Sequence, residues 1–280
     1  MSREFDVVLW GASGFTGALV AEYLATKYGV SGNLRWAIGG RDAAKLETLR
    51  ERLTGSTELP IILADSNDRQ SLDALVARTT TICTTVGPYA RYGTELVAAA
   101  AAGGTHYCDL AGEVHWMRAM IDQHEAEAAQ SGARIVHCCG FDSIPSDLGV
   151  YFVQQEMQHR HGVACKAVKF RVRKFQGGFS GGTVDSMLNM LAESEHDPEL
   201  RRLLADPYAL NPQGEHKGAD GLDSTIPHDD YDFKAWLAPF VMATIDTRVV
   251  RRTNALLGYR YGHDFRYDEA LLMADGLLGL

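Results

Sequence analysis

Phe5-Asp6-Val7-Val8-Leu9-Trp10, followed at once by Gly11-Ala12-Ser13-Gly14-Phe15-Thr16-Gly17, decides the fold. An apolar run of strand length stops at a glycine, and glycines recur at every third position into a helical segment. The order is strand, tight turn, helix start. Such a turn suits a pyrophosphate, because glycines let the main chain approach the ligand and the free amides of the helix start carry positive partial charge. The spacing is G-x-x-G-x-x-G rather than the commoner G-x-G-x-x-G. A βα turn needs glycine with or without a ligand. Its place after an N-terminal strand makes dinucleotide binding the expectation, with Gly11, Ala12, Ser13, Gly14, Phe15, Thr16 and Gly17 as its residues.

Outward from this turn, apolar strands alternate with amphipathic helices as far as residue 140. A helix is predicted over Phe15–Tyr28, and a second strand over Leu34–Ile38 closes at Gly39-Gly40-Arg41. Asp42 caps a charged helix to Leu53. Pro60–Leu63 reads as strand three, and Ser66–Arg78 as a helix. Strand four covers Thr80–Val86, and a helix covers Gly93–Ala102. Strand five covers Thr105–Cys108, a helix Trp116–Gln130, and strand six Ala133–Cys138. Six short apolar strands separated by helices predict an α/β, doubly wound parallel sheet covered on both faces, with ligands at its carboxyl end.

After Gly140 the alternation breaks, predicting domains at 1–140 and 141–280. A helix is expected over Pro145–Gln158 and a half-buried antiparallel strand over Ala164–Phe175, where Val168, Phe170 and Val172 alternate with Lys169, Arg171 and Arg173. Thr183–Ser194 reads as helical. Residues 206–234, polar and rich in Gly, Pro and Asp, read as a long loop or lid. Trp236–Leu257 and Glu269–Leu280 carry helical patterns, and the second ends without a cap or polar tail. The expectation is an α+β second domain, truncated at its C-terminal end.

The 280 residues carry a formal net charge of −9, which disfavours a nucleic-acid surface. Arg3, Glu4 and Asp6 fall where a signal peptide would need its apolar core. No apolar run reaches the length of a membrane helix, about 18 residues. Five cysteines without C-x-x-C spacing suit a reducing, cytoplasmic setting.

The strand ends carry the candidate chemistry. Strand two ends in Arg41 rather than an acid, so a guanidinium rather than a carboxylate stands where the adenosine ribose would lie, and NADP is favoured over NAD. Asp65, ending strand three, is placed either to contact adenine or to cap the following helix. Val86, Gly87, Pro88 and Tyr89 follow strand four, where main chain passes the second ribose. His106-Tyr107-Cys108-Asp109 and His137-Cys138-Cys139 end strands five and six. Alternation sends neighbouring side chains to opposite faces, which weighs against a metal site. Tyr107, Asp109, Asp142 and Ser143 are the proton-donor candidates, set against ordinary loop hydrogen bonding. The only Tyr-x-x-x-Lys spacing, Tyr23 and Lys27, lies on the first helix, so short-chain reductase chemistry is not expected.

Taken together, residues 11–17, Gly-Gly-Arg at 39–41, Thr-Val-Gly-Pro-Tyr at 85–89, Tyr-Cys-Asp-Leu-Ala-Gly-Glu at 107–113 and Gly-Phe-Asp-Ser-Ile-Pro-Ser-Asp at 140–147 resemble the saccharopine dehydrogenase-like oxidoreductases. With Gly-Gly-Thr at 181–183 and the arginine-rich run at 247–256, the chain is similar to bacterial trans-acting enoyl reductases. The resemblance implies an NADP-binding Rossmann domain, a second domain on a mixed sheet, and a chain shorter than is usual for the family. It also implies a small-molecule or acyl-carrier-bound lipid substrate, with polyketide synthase or peripheral membrane association and a homodimer as further expectations. An apolar channel lined by Gly177–Gly182 and the helix from Trp236 follows from the enoyl reading, motivated by Phe179, Met187, Leu188, Met190 and Leu191, for which plain core packing is the alternative. The rival reading is a non-catalytic NADP-binding sensor, which would saturate with NADPH and turn over no acceptor.

Overall fold

The computed structural model describes residues 3–53, 58–141, 143–174, 194–215 and 217–273. It divides into two units, Met1–Cys139 and Gly140–Leu280.

In the first unit, β1 (Phe5–Trp10), β2 (Trp36–Gly40), β3 (Ile61–Leu63), β4 (Thr79–Thr84), β5 (His106–Cys108) and β6 (Ile135–Val136) form one parallel sheet. Its order is β3-β2-β1-β4-β5-β6, so the winding reverses between β1 and β4, where such sheets bind their ligands. Val8, Leu9, Ile38 and Ile82 have no exposed surface, as expected for strands buried on both faces. On one face Leu9, Trp36 and Ile38 pack with Ala21 of α1 (Phe15–Tyr28) and with Leu46 and Leu49 of α2 (Ala43–Arg52). Elsewhere the small side chains Ala101 of α5 (Thr94–Gly103) and Ala128 of α6 (Val114–Ser131) let both helices close on Ile135 of β6. Asp42 caps α2 as its sequence predicts, accepting from the Lys45 amide. The third helix begins later than Ser66: Asp68 accepts from the Gln70 amide and caps α3 (Arg69–Arg78). A single turn, α4 (Tyr89–Tyr92), precedes α5.

In the second unit, α7 (Ile144–His161) and α9 (Ala243–Leu256) accompany a four-stranded sheet of order β7-β10-β9-β8. Here three expectations are corrected. The alternating stretch forms β7 (Ala167–Val172), but it pairs parallel with β10 (Arg266–Leu272), not antiparallel. Alternation reports a half-buried strand and is silent on its neighbour's direction. The helical pattern from Trp236 opens instead as strand β9 (Ala235–Pro239), which pairs antiparallel with β10 and with β8 (His228–Asp230). Only from Ala243 is it helical. The pattern expected as helical over Glu269–Leu280 likewise opens in strand β10, an inner strand whose Ala270, Leu271 and Leu272 are consecutive apolar residues, and residues 274–280 lie outside the described residues. Short apolar runs do not distinguish an inner strand from a buried helix.

Within 206–234, expected as a long loop or lid, the described residues include strand β8, and Asp206, Pro207, Asp220 and Asp223 are held by arginines of α9. Arg248, on α9, donates to the main-chain oxygens of Asp206 (3.0 Å) and Leu204 (2.7 Å), the latter in α8 (Pro198–Ala205), and pairs with Asp223 at 3.2 Å. Arg251 pairs with Asp220 at 2.8 Å and donates to the Pro207 carbonyl. The predicted helix at 183–194 and the channel-lining residues Gly177–Gly182, Phe179, Met187, Leu188, Met190 and Leu191 lie almost wholly outside the described residues, of which Ser194 is one. Among the described residues no helix is long and apolar enough to cross a membrane.

Candidate cofactor site

The turn after β1 is built by its glycines, and each does something different. Gly11 adopts φ +83°, and a Cβ there would fall 2.4 Å from Cγ2 of Val86. On Gly17, a Cβ would fall 2.2 Å from the Gly11 carbonyl oxygen, so this glycine seats α1 on the strand. Gly14 is different: it is exposed, and the nearest atom to an added Cβ is the Gly11 oxygen at 3.3 Å. The fold itself therefore demands Gly11 and Gly17. Gly14 leaves bare main chain open to solvent.

Main chain ties the turn to its neighbours. The Gly11 amide donates to Gly39 O at 2.9 Å, and the Thr85 amide to Trp10 O at 3.0 Å. Ala12 is fully buried, Ser13 and Phe15 are exposed, and Thr16 is half-buried. Helix α1 starts with no side-chain cap and no acid in its first turn, so the helix itself supplies no carboxylate for the amides a helix leaves unpaired there. Arg41 is exposed just past β2 and makes no ion pair among the described residues.

Asp65 spends one carboxylate oxygen on the Asn67 amide at 2.9 Å, holding the turn before α3. Val86 is half-buried, Gly87 exposed and Pro88 half-buried, whereas Tyr89 is inside. The Tyr89 hydroxyl donates to Thr84 O at 3.3 Å and accepts from the Leu110 amide at 3.1 Å. Buried Glu113 holds the Tyr89 and Ala90 amides, each at 2.8 Å, and so clamps the start of α4.

Of the proton-donor candidates, Tyr107 and Asp109 meet within the first unit. Tyr107 is 1% exposed, and its hydroxyl donates to Asp109 at 3.0 Å. Burial, together with the Asp109 charge, pushes that hydroxyl well above the ordinary tyrosine range. Ser143 is buried in the second unit and donates to Asp246 at 2.7 Å, so its hydroxyl is spent on the start of α9. Asp142 lies outside the described residues. Sequence reasoning treated His137 only as part of a discounted metal cluster. In the structure its Nδ1 lies 2.6 Å from Asp109. The two are 28 positions apart, and only the adjacency of β5 and β6 brings them together. Among the described residues no group of three His, Cys, Asp or Glu is placed to hold a metal ion.

With this geometry in hand, comparison with known proteins is informative. Residues 7–136 match the saccharopine dehydrogenase NADP binding domain. The chain is 41% identical over 278 residues to the trans-acting enoyl reductase of Mycobacterium leprae, covering 96% of this chain and 66% of that protein. A Mycobacterium tuberculosis protein whose name says the same in provisional form is 45% identical over 283 residues, covering 99% of this chain and 67% of the relative. The chain belongs to the saccharopine dehydrogenase-like family, in the group of the trans-acting enoyl reductases. It spans about two thirds of the length of those relatives. Among solved structures, saccharopine dehydrogenase (L-Glu forming) from Saccharomyces cerevisiae covers 60% of this chain and 34% of its own, at 21% identity and a TM-score of 0.46. As a member of this family the chain is an NADP-dependent oxidoreductase. The bare main chain at Gly14, the uncapped start of α1 and the unpaired Arg41 fit that cofactor's anionic groups.

Proposed function

We propose that this protein reduces the carbon–carbon double bond of an acyl chain presented as a thioester, on an acyl carrier or by a separate synthase. The observation that carries the proposal is the carboxyl end of the parallel sheet, where a glycine cradle, an uncapped helix and an unpaired arginine meet in a chain whose relatives are named trans-acting enoyl reductases. NADPH, when bound, supplies a hydride. Ser13, Phe15 and Thr16 would present main-chain amides to the pyrophosphate, while the Ala12 and Gly14 amides, donated to Gly39 O and Gly11 O, shape the turn that Gly11 and Gly17 keep tight. Arg41 would hold the ribose 2′-phosphate, where a planar guanidinium makes paired, charge-assisted bonds. Asp65 would stand beside the adenine, and Val86, Gly87 and Pro88 would line the second ribose with Tyr89 packed behind them. A cytoplasmic protein working on the product of a separate synthase is consistent with this reading.

Two measurements test it. Arg41→Ala is expected to weaken NADPH binding about 10- to 100-fold, the worth of a charged hydrogen-bonded contact, while NADH affinity stays the same. An unchanged ratio of the two affinities overturns the assignment of Arg41. Purified protein with NADPH and a panel of 2-enoyl thioesters is expected to oxidise the nucleotide. Saturating NADPH binding with no turnover on any of them would favour a sensor instead.

A further inference from the structure

Just past the carboxyl ends of β5 and β6 lies a carboxylate–imidazole pair that the reading above leaves unused. Asp109 has 1% of its surface exposed and receives four donors. Its Oδ1 accepts from the amides of Ala111 (3.0 Å) and Cys138 (3.1 Å). Its Oδ2 accepts from the Tyr107 hydroxyl (3.0 Å) and faces His137 Nδ1 at 2.6 Å. Main-chain amides can only donate, so Oδ1 is an acceptor. With the Tyr107 hydroxyl donating to Oδ2, the arrangement in which Oδ2 also accepts from His137 carries a ring proton on Nδ1 and leaves Nε2 unused by Asp109.

That second nitrogen is the unusual part. The His137 side chain is only 10% exposed, and its Nε2 has no hydrogen-bond partner among the described residues. The ring is wedged edge-on against Trp116, 5.1 Å between centroids, and Tyr107, 5.9 Å. A buried ring nitrogen without a partner calls for an explanation, and at the end of a parallel strand a partner that arrives with a ligand or a reaction supplies one.

We propose that His137 is the acid–base group of this reductase, with Asp109 and Tyr107 as positioning residues; the inference rests on the enoyl reading above. NADPH, when bound, would supply the hydride for the β-carbon of the enoyl thioester. The π pair of the double bond takes the proton from Nε2 of the protonated His137 at the α-carbon. The N–H bonding pair returns to Nε2, Nδ1–H stays on Asp109, and water reprotonates the ring. The double bond is reduced and NADPH is oxidised to NADP. Sequence reasoning named Tyr107 and Asp109 as donors. Both are consumed in holding the imidazole, and the nitrogen left over is on their partner.

The test uses the whole chain with NADPH and crotonyl-CoA. His137→Asn places an amide nitrogen where Nδ1 stood, keeping the Asp109 bond while deleting Nε2. It is expected to lower kcat by about 10²- to 10⁴-fold, with NADPH affinity and melting temperature unchanged. His137→Gln serves as a second variant should the first fail to fold. Long-range ¹H–¹⁵N NMR of histidine-labelled protein is expected to show His137 protonated on Nδ1 and bare on Nε2. An active wild type with His137 variants within about threefold of it, or a proton resident on Nε2 in the neutral ring, overturns the assignment. A wild type inactive on every enoyl thioester ends the enoyl reading and the acid step with it, while the tautomer still reports separately on the Asp109–His137 geometry.

Discussion

Gly14 and Gly17 have the same side chain and opposite reasons for it. An added methyl at Gly17 would meet the Gly11 carbonyl at 2.2 Å and the Ala12 Cα at 2.8 Å, both main-chain atoms that cannot swing aside. Gly17→Ala is therefore expected to destabilise the first unit by about 3 kcal/mol or more through overpacking. At Gly14 the nearest atom is 3.3 Å away, so Gly14→Ala should shift the melting temperature by no more than about 2 °C, in line with a change well under 1 kcal/mol. Its cost falls on the ligand, and NADPH affinity should drop about 10-fold or more once a methyl stands where main chain must approach phosphate. Denaturant melts and NADPH titrations of the two variants separate these roles. A Gly14→Ala protein that binds NADPH normally would show that the pyrophosphate lies elsewhere.

Among the elements, α9 shows how an arginine-rich run reads differently in sequence and in structure. Arg248 and Arg251 lie one turn apart and are 3% and 4% exposed, within the same face of the helix. Burial lowers the Arg248 guanidinium from its ordinary value, against the attraction of Asp223. The two side chains gather the main-chain oxygens of Leu204, Asp206 and Pro207 and the carboxylates of Asp220 and Asp223. An excursion rich in proline, glycine and aspartate is thereby strapped to a helix. Arg251→Leu takes the cation from the largely buried Asp220 carboxylate, which keeps the Tyr267 amide, and about 3 kcal/mol of stability should go with it. Limited proteolysis should then cut first within 206–227. Unchanged proteolysis would mean that the segment is held by other contacts.

For the molecule as a whole, the cofactor is expected to act on one unit. All the residues assigned to NADP lie between Gly11 and Tyr89, inside Met1–Cys139. NADPH at 100 times its Kd should stabilise the native state by about 2.7 kcal/mol. In hydrogen exchange the protection should concentrate at the amides following β1, β2 and β4. Protection spread evenly over both units would contradict a site confined to these strand ends.

Much of this was readable from local pattern, because local sterics produce it. A strand ending in spaced glycines needs no distant partner to be recognised, and neither does Asp42 at a helix start or Arg41 where an acid would otherwise stand. Strand existence in the first unit also follows, since inner parallel strands must be apolar on both faces. Where sequence reasoning failed, the deciding partner was far along the chain. The direction of β7 is set by β10, about a hundred residues on, and the strands at Ala235–Pro239 and Arg266–Leu272 take their character from lying side by side. Tyr107 and Asp109 were visible as polar residues at a strand end, but whether they face a ligand or each other depends on His137, Ala111 and Cys138. The sequence by itself determined the glycine turn and its helix. Only the tertiary structure decided which of three identical glycines keeps its main chain open to solvent, and which nitrogen of His137 is left without a partner among the described residues, because both depend on atoms brought close by sheet pairing rather than by chain neighbourhood.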